Sequence, residues 1–167
     1  TDGSVQWMTA GRGVIHSEMP EKTDGLARGF QLWLNLPKKL KMIDPSYNDI
    51  PRNKIPEVNI EHGKVRVISG EYNNIKGPGL PHTGMYYFDV ELNQSENIDI
   101  PLDDYWNSFI YVYSGEASVG GQRVRQGQLA ILSEKGTLNF ISNGTSVLKC
   151  IVVSGDPINE PVARGGP

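Results

Sequence analysis

The sequence predicts an all-β protein, a sandwich or barrel built from short strands. Three observations carry that expectation. Beyond Ile60 the chain breaks into short apolar runs, at residues 64–69, 85–92, 108–114, 116–119, 128–132, 137–141 and 146–153. Turn signals separate them: Gly77-Pro78-Gly79, Pro101, Ser114-Gly115, Gly120-Gly121, Gln126-Gly127, Gly136 and Asn143-Gly144. With 19 Gly and 11 Pro the chain is rich in turn formers, and no run with a helical period competes.

Taken in order, residues 5–10 and 13–19 read as two strands joined by the turn Gly11-Arg12-Gly13. Residues 30–36 set Phe30, Leu32, Leu34 and Leu36 against Gln31, Trp33 and Asn35, which is the period of a strand with one face in a core. Trp33 then falls on the opposite face, and Pro37 ends the strand. Residues 38–56, rich in Lys, Asp, Asn and Pro, read as a linker with one short helical turn near Tyr47. Within it Lys38, Lys39 and Lys41 form a basic cluster, read as a solvated linker face in preference to a targeting or phosphate-binding element. An internal repeat is also visible. Gly3 to Met8 and Gly127 to Leu132 each give a turn, a strand and then a Gly-containing turn. Aligning Gly13 with Gly136 sets His16 opposite Asn139 and Glu18 opposite Ile141.

Composition narrows the function classes. The net charge is -3 and the pI about 5.6, so the basic face needed to neutralise nucleic-acid phosphates is not expected. No run of 18 apolar residues is present, so no membrane span is expected. The start shows no signal-peptide pattern. Cys150, the single cysteine, rules out an internal disulfide and fits a reducing compartment. It sits in the apolar run Val147 to Val153 and reads as a small core residue rather than a redox thiol. Asn93-Gln94-Ser95 and Asn143-Gly144-Thr145 match the glycosylation pattern, but neither would be modified in a reducing compartment, and Asn143-Gly144 reads more simply as a hairpin turn.

The chemistry concentrates in His16-Ser17-Glu18. On an extended strand, residues two apart share a face, so an imidazole and a carboxylate can converge while Ser17 points away. That pair is part of the nitrogen and carboxylate set that suits Fe(II). Alone it reads more readily as a half-buried histidine beside a surface glutamate. Other candidates rank lower. His82, after Pro81, and His62, at a turn, read as surface residues. Asp103 and Asp104 are adjacent and would face opposite ways on a strand, so a turn or cap is the default. Ser17 lacks the partners of a nucleophile. Arg12 could reach the mouth of a metal pocket and meet an anionic or phenolate substrate.

The segment Val5-Gln6-Trp7-Met8-Thr9-Ala10-Gly11-Arg12-Gly13-Val14-Ile15-His16-Ser17-Glu18-Met19-Pro20 closely resembles the pirin family of two-cupin metal proteins. The blocks Gly29-Phe30-Gln31-Leu32-Trp33-Leu34-Asn35-Leu36-Pro37, Lys41-Met42-Ile43-Asp44-Pro45-Ser46-Tyr47, Ile68-Ser69-Gly70-Glu71, Ser108-Phe109-Ile110-Tyr111 and Glu160-Pro161-Val162-Ala163-Arg164-Gly165-Gly166-Pro167 are similar too. The resemblance implies cupin barrels, that is, jelly rolls of the double-stranded β-helix type, in a bicupin whose first barrel is incomplete here. Residues 1–36 would be the C-terminal strands of the first, metal-binding cupin domain, 37–58 the linker, and 59–167 a second, metal-free cupin domain. The metal, Fe(II), would be held by His16 and Glu18 together with a His-x-His pair. This sequence holds no His-x-His, so those ligands are expected upstream of Thr1. The chain by itself would then bind metal poorly and be inactive, its half barrel would leave an open sheet edge, and a closing element would lie beyond Pro167.

For the intact protein the resemblance implies two activities. One is a quercetin 2,3-dioxygenase-type oxygenase, in which Glu18 is an anionic ligand or the base that takes a flavonol hydroxyl proton. Its partners would be a flavonol-like molecule and O2. The other is an iron-dependent redox-sensing regulator that binds a transcription factor or a metabolic enzyme. Either is expected to be a monomer with no direct nucleic-acid or membrane partner, cytoplasmic, and also nuclear in a eukaryote.

Overall fold

In a computed structural model, residues 3–19, 28–143, 146–163 and 165 are described. Fourteen strands are found among them, in chain order β1 (Val5–Thr9), β2 (Ser46–Ile50), β3 (Glu57–Ile60), β4 (Gly63–Ser69), β5 (Glu71–Tyr72), β6 (Ile75–Lys76), β7 (Met85–Leu92), β8 (Asn97–Ile100), β9 (Asn107–Ser114), β10 (Glu116–Val119), β11 (Gln122–Arg125), β12 (Leu129–Ile131), β13 (Leu138–Asn143) and β14 (Leu148–Gly155). The chain divides into two units. The first joins Thr1–Trp7 to Asp49–Pro157, and the second joins Met8–Asn48 to Ile158–Pro167.

The first unit is the β-barrel that the alternating runs predict. A six-stranded antiparallel sheet in the order β12-β9-β14-β7-β4-β3 faces a four-stranded one in the order β11-β10-β13-β8. Period-two alternation sends one side of every strand inward. From β7 these are Phe88, Val90 and Leu92, from β9 Ile110 and Val112, and from β14 Leu148, Cys150 and Val152, all fully buried in one cluster. The four-stranded sheet contributes Ile98, Ile100, Ala117, Val124, Leu138 and Phe140. A smaller cluster of Ile50, Ile55 and Ile68, with Val5, Trp7 and Tyr87 against it, lies apart from this core.

The register of β13 corrects one inference from the repeat. Its buried residues are Leu138, Phe140 and Ser142, while Asn139 and Ile141 are exposed. The positions set opposite His16 and Glu18 therefore lie on the outer face, where Asn139 Nδ2 donates to Asp99 Oδ1 at 2.7 Å. A one-residue slip exchanges the faces of a strand, and a short alignment through glycines does not fix it to that precision.

The edges of the strands differ from the sequence expectation where the signal is short. Strands β3, β8 and β11 have four residues each and at most two apolar ones facing the core. The β5–β6 hairpin turns through Asn73 and Asn74, with φ of 49° and 63°. Two successive left-handed residues are what a tight hairpin needs, and asparagine tolerates them. In the expected linker the helical turns fall at Lys38–Leu40 and Arg52–Lys54, each following a proline. Tyr47, where a helical turn was expected, is in β2.

In the second unit, residues 13–19 and 30–36 carry no regular strand. The period-two pattern of 30–36 is that of a strand, but a ladder needs a neighbour, and among the described residues neither segment pairs with one. Ile15, Met19 and Trp33 are largely exposed there. The turn between Ala10 and Gly13 is well tied. Gly13 N–H donates to Ala10 O and Arg12 N–H to Ile43 O, both at 2.9 Å. Gly11 has φ +51°, and an added Cβ would run into the Ile43 carbonyl, so both backbone conformation and space require glycine. The backbone N–H of Lys38 donates to Glu160 Oε2 at 2.6 Å, which ties the sequence block at 160 to this unit.

Cys150 is a buried core thiol, as its apolar run predicts. Burial, and then the charge of Asp89, push its thiol well above the ordinary 9.0. The folded state thus holds this proton more tightly than the unfolded chain does. Its contribution is constant below about pH 9 and is lost as pH rises, by about 1.4 kcal/mol per unit once the unfolded thiol ionises. Above pH 10 the tyrosines add to the loss, since burial pushes Tyr87 up to about 12 and Tyr113 higher still. Urea midpoints measured from pH 8 to 10.5 should fall along this limb. In Cys150→Ala the fall should begin about one unit later, and an identical onset in both proteins would contradict the assignment.

Candidate metal centre

His16 and Glu18 are brought together, though not by a strand. His16 Nε2 lies 3.9 Å from Glu18 Oε1, with side-chain exposures of 46% and 62%. An ordinary bond from a metal to nitrogen or oxygen is about 2.0–2.2 Å, so one ion can reach both atoms across that gap. A neutral imidazole and a carboxylate also form a donor pair that suits iron. The pair therefore fits part of a metal site. Among the described residues no group of three or more His, Cys, Asp or Glu is arranged to hold an ion.

Glu18 has a further partner. Gln31 Nε2 donates to Glu18 Oε1 at 2.9 Å. Sequence reasoning placed Gln31 merely on the polar side of an alternating run. Its place on that side, in the block following the His-x-Glu pair, was the one available signal, and it does not say which acid the amide meets. Arg12, considered as a substrate contact, is engaged by Asp44 at 2.9 Å.

The remaining candidates are scattered. His62 lies 3.4 Å from Glu96 and 3.7 Å from Glu61 at the β3–β4 turn. His82 is exposed in its loop. Asp103 accepts a 2.8 Å bond from the Tyr86 hydroxyl, and Asp104 one of 3.3 Å from Gly136 N–H. The two acids serve different elements, strand β7 and the loop before β13, as adjacent residues in a turn do. Burial, and then the bond to Asp103, push Tyr86 up to about 12. In the basic cluster Lys41 Nζ donates to Asn35 Oδ1 at 2.8 Å.

The barrel interior is a different environment. Besides the thiol of Cys150, its buried polar side chains are serine hydroxyls. Those of Ser108 and Ser154 bond each other at 2.7 Å, Ser69 donates to Gly79 O at 3.4 Å, and that of Ser142 has no hydrogen-bond partner among the described residues. The rest of the core is aliphatic or aromatic. A cation there would find almost no donors.

Two family profiles match this chain. One, described as pirin, covers residues 1–34, and the other, the pirin C-terminal cupin domain, covers residues 87–167. The chain belongs to the pirin family. It is 36% identical to a pirin-like protein of Arabidopsis thaliana, over 99% of this chain and 57% of that one. To pirin of Rattus norvegicus it is also 36% identical, over 99% and 58%. It thus spans somewhat under three-fifths of these pirins. Among solved structures, a quercetin 2,3-dioxygenase from Acinetobacter baumannii matches with TM-score 0.79 at 28% identity, covering 99% of this chain and 59% of that one. A protein of Geobacillus kaustophilus matches with TM-score 0.81 at 27% identity, over 95% and 66%. Those likenesses make the all-β fold a cupin fold. His16, Glu18 and Gln31 all lie within the stretch matched by the first pirin profile.

Proposed function

We propose that this chain is part of an iron-binding bicupin pirin whose intact form is a flavonol 2,3-dioxygenase-type oxygenase. The observation that carries the proposal is the His16–Glu18 pair, 3.9 Å apart and accessible to solvent, in a pirin-matched segment. The likeness to a solved quercetin 2,3-dioxygenase supports the reaction class. On this reading residues 1–36 belong to the metal-binding cupin domain, 37–58 link it to the second, and 59–167 form a metal-free domain whose filled interior is structural.

His16 would serve as a neutral nitrogen ligand and Glu18 as an anionic oxygen ligand, with further ligands supplied from outside this chain. Bound there, Fe(II) would supply Lewis acidity and a redox centre for joining a flavonol to O2. The protein's own contribution is proton handling and placement. Glu18 would be the proton acceptor: an oxygen of its carboxylate not engaged by the metal would take the flavonol hydroxyl proton. Holding two reactants side by side replaces an encounter with an intramolecular step.

The test is O2 consumption by the intact, iron-loaded protein with quercetin. Quercetin-dependent uptake in the parent that disappears in Glu18→Ala is the expected result. Iron bound at one equivalent with no uptake for any flavonol would overturn the oxygenase reading and leave the regulator.

A further inference from the structure

Glu18 has three rotatable side-chain bonds and is 62% exposed. A free carboxylate of that kind gives up rotamer freedom when it is fixed. Something has to hold it if it is to present one oxygen to an ion. Gln31 Nε2–H is the hydrogen-bond donor on Glu18 Oε1, at 2.9 Å. A neutral amide suits this task, because it orients the carboxylate without cancelling its charge. A lysine or arginine in the same place would compete with a cation for the same lone pairs. The guanidinium of Arg12 is engaged by Asp44.

We infer that Gln31 is a positioning residue for the Glu18 carboxylate, acting on metal affinity through it and not as a ligand. The inference rests on the reading of His16 and Glu18 as metal ligands. It follows the general behaviour of metal sites, in which partners that orient the ligands each account for about 10–100-fold in affinity. Because the bond joins two side chains 13 residues apart, it also fixes the segment around Gln31 against the one around Glu18.

The experiment uses the intact protein, with Fe(II) titrated anaerobically and Co(II) as a spectroscopic probe. Gln31→Met keeps the length and loses the donor, and Gln31→Leu is a second variant of the same kind. In both, the Kd for Fe(II) should rise about 10–100-fold while saturation still reaches the parent stoichiometry, and the visible absorption of the Co(II) form should shift. Glu18→Ala and the double variant Glu18→Ala/Gln31→Met complete a cycle. Once Glu18 is gone, the second change should add less than about two-fold, as coupled residues do. A Kd within two-fold of the parent and an unchanged Co(II) spectrum in both Gln31 variants, with Glu18→Ala strongly weakened, would overturn this inference and leave the metal site standing. An unchanged Kd in Glu18→Ala would instead remove the metal-site reading itself.

Discussion

Phe140→Ala should lower the unfolding free energy of this chain by about 3–5 kcal/mol, the cost of removing a large buried ring whose space cannot fully collapse. The ring is fully buried in the main cluster, on a strand held on both sides. Phe140 is paired with Val119 of β10 and with Ile98 of β8. Its removal opens a cavity where two sheets face each other, and neither sheet can close the gap without breaking ladder bonds. The outward neighbour gives the control. Ile141 is 41% exposed, and Ile141→Ala should cost under about 1 kcal/mol. Urea unfolding of the two variants reads the face of β13 directly. A larger loss at Ile141 than at Phe140 would mean that the strand is slipped by one residue.

Asp89→Ala should be the most damaging change on the outer face of the six-stranded sheet, at about 2–3 kcal/mol. Asp89 accepts from Arg66 Nη1 at 3.1 Å and from the Tyr113 hydroxyl at 2.8 Å. Arg66 is also the residue opposite it across the β4–β7 ladder. Their side chains are only 12% and 21% exposed, so solvent replaces little of what is lost. The surroundings extend the pattern as a mosaic of alternating charge. Glu57 is opposite Arg66 on β3, Lys64 is opposite Glu91, and Lys149 reaches Glu91 at 3.2 Å. Removing Asp89 leaves the guanidinium half-paired in a nearly dry place, where Arg66 Nε already has no hydrogen bond. Asp89→Asn keeps one acceptor and should cost about half as much. Lys76→Ala, at an ion pair 81% and 45% exposed, should change stability by less than about 0.5 kcal/mol. Equal losses for Asp89→Ala and Lys76→Ala in the same urea series would show that the buried pairing contributes nothing special.

The barrel was legible where an apolar run stood between clear Gly-containing or Pro-containing turn signals. The expected runs 85–92 and 116–119 coincide with β7 and β10, and 64–69 and 108–114 differ from β4 and β9 by one residue. It was not legible in β8 or β11, where Asn97 to Ile100 and Gln122 to Arg125 offer too few apolar positions to distinguish a strand from a polar loop. Residues 30–36 show the opposite failure. Their alternation is a strand's, but pairing is decided by what lies alongside, and a local pattern carries no information about that. Of the candidate site, His16 and Glu18 were visible as a spaced pair of ligand types. Gln31 was not, because a hydrogen bond across 13 residues leaves no periodic trace. Arg12 was visible as a cation near the pair, yet its partner Asp44 lies 32 positions away and decides where it points.

The measurement that tests the central claim most directly is the iron content of the intact protein against that of His16→Ala, purified alike and reconstituted with Fe(II) under anaerobic conditions. A metal centre built on His16 and Glu18 predicts about one iron per chain in the parent and a loss of at least 10-fold in affinity without the imidazole. Full iron occupancy in His16→Ala, with an unchanged Kd, would contradict it.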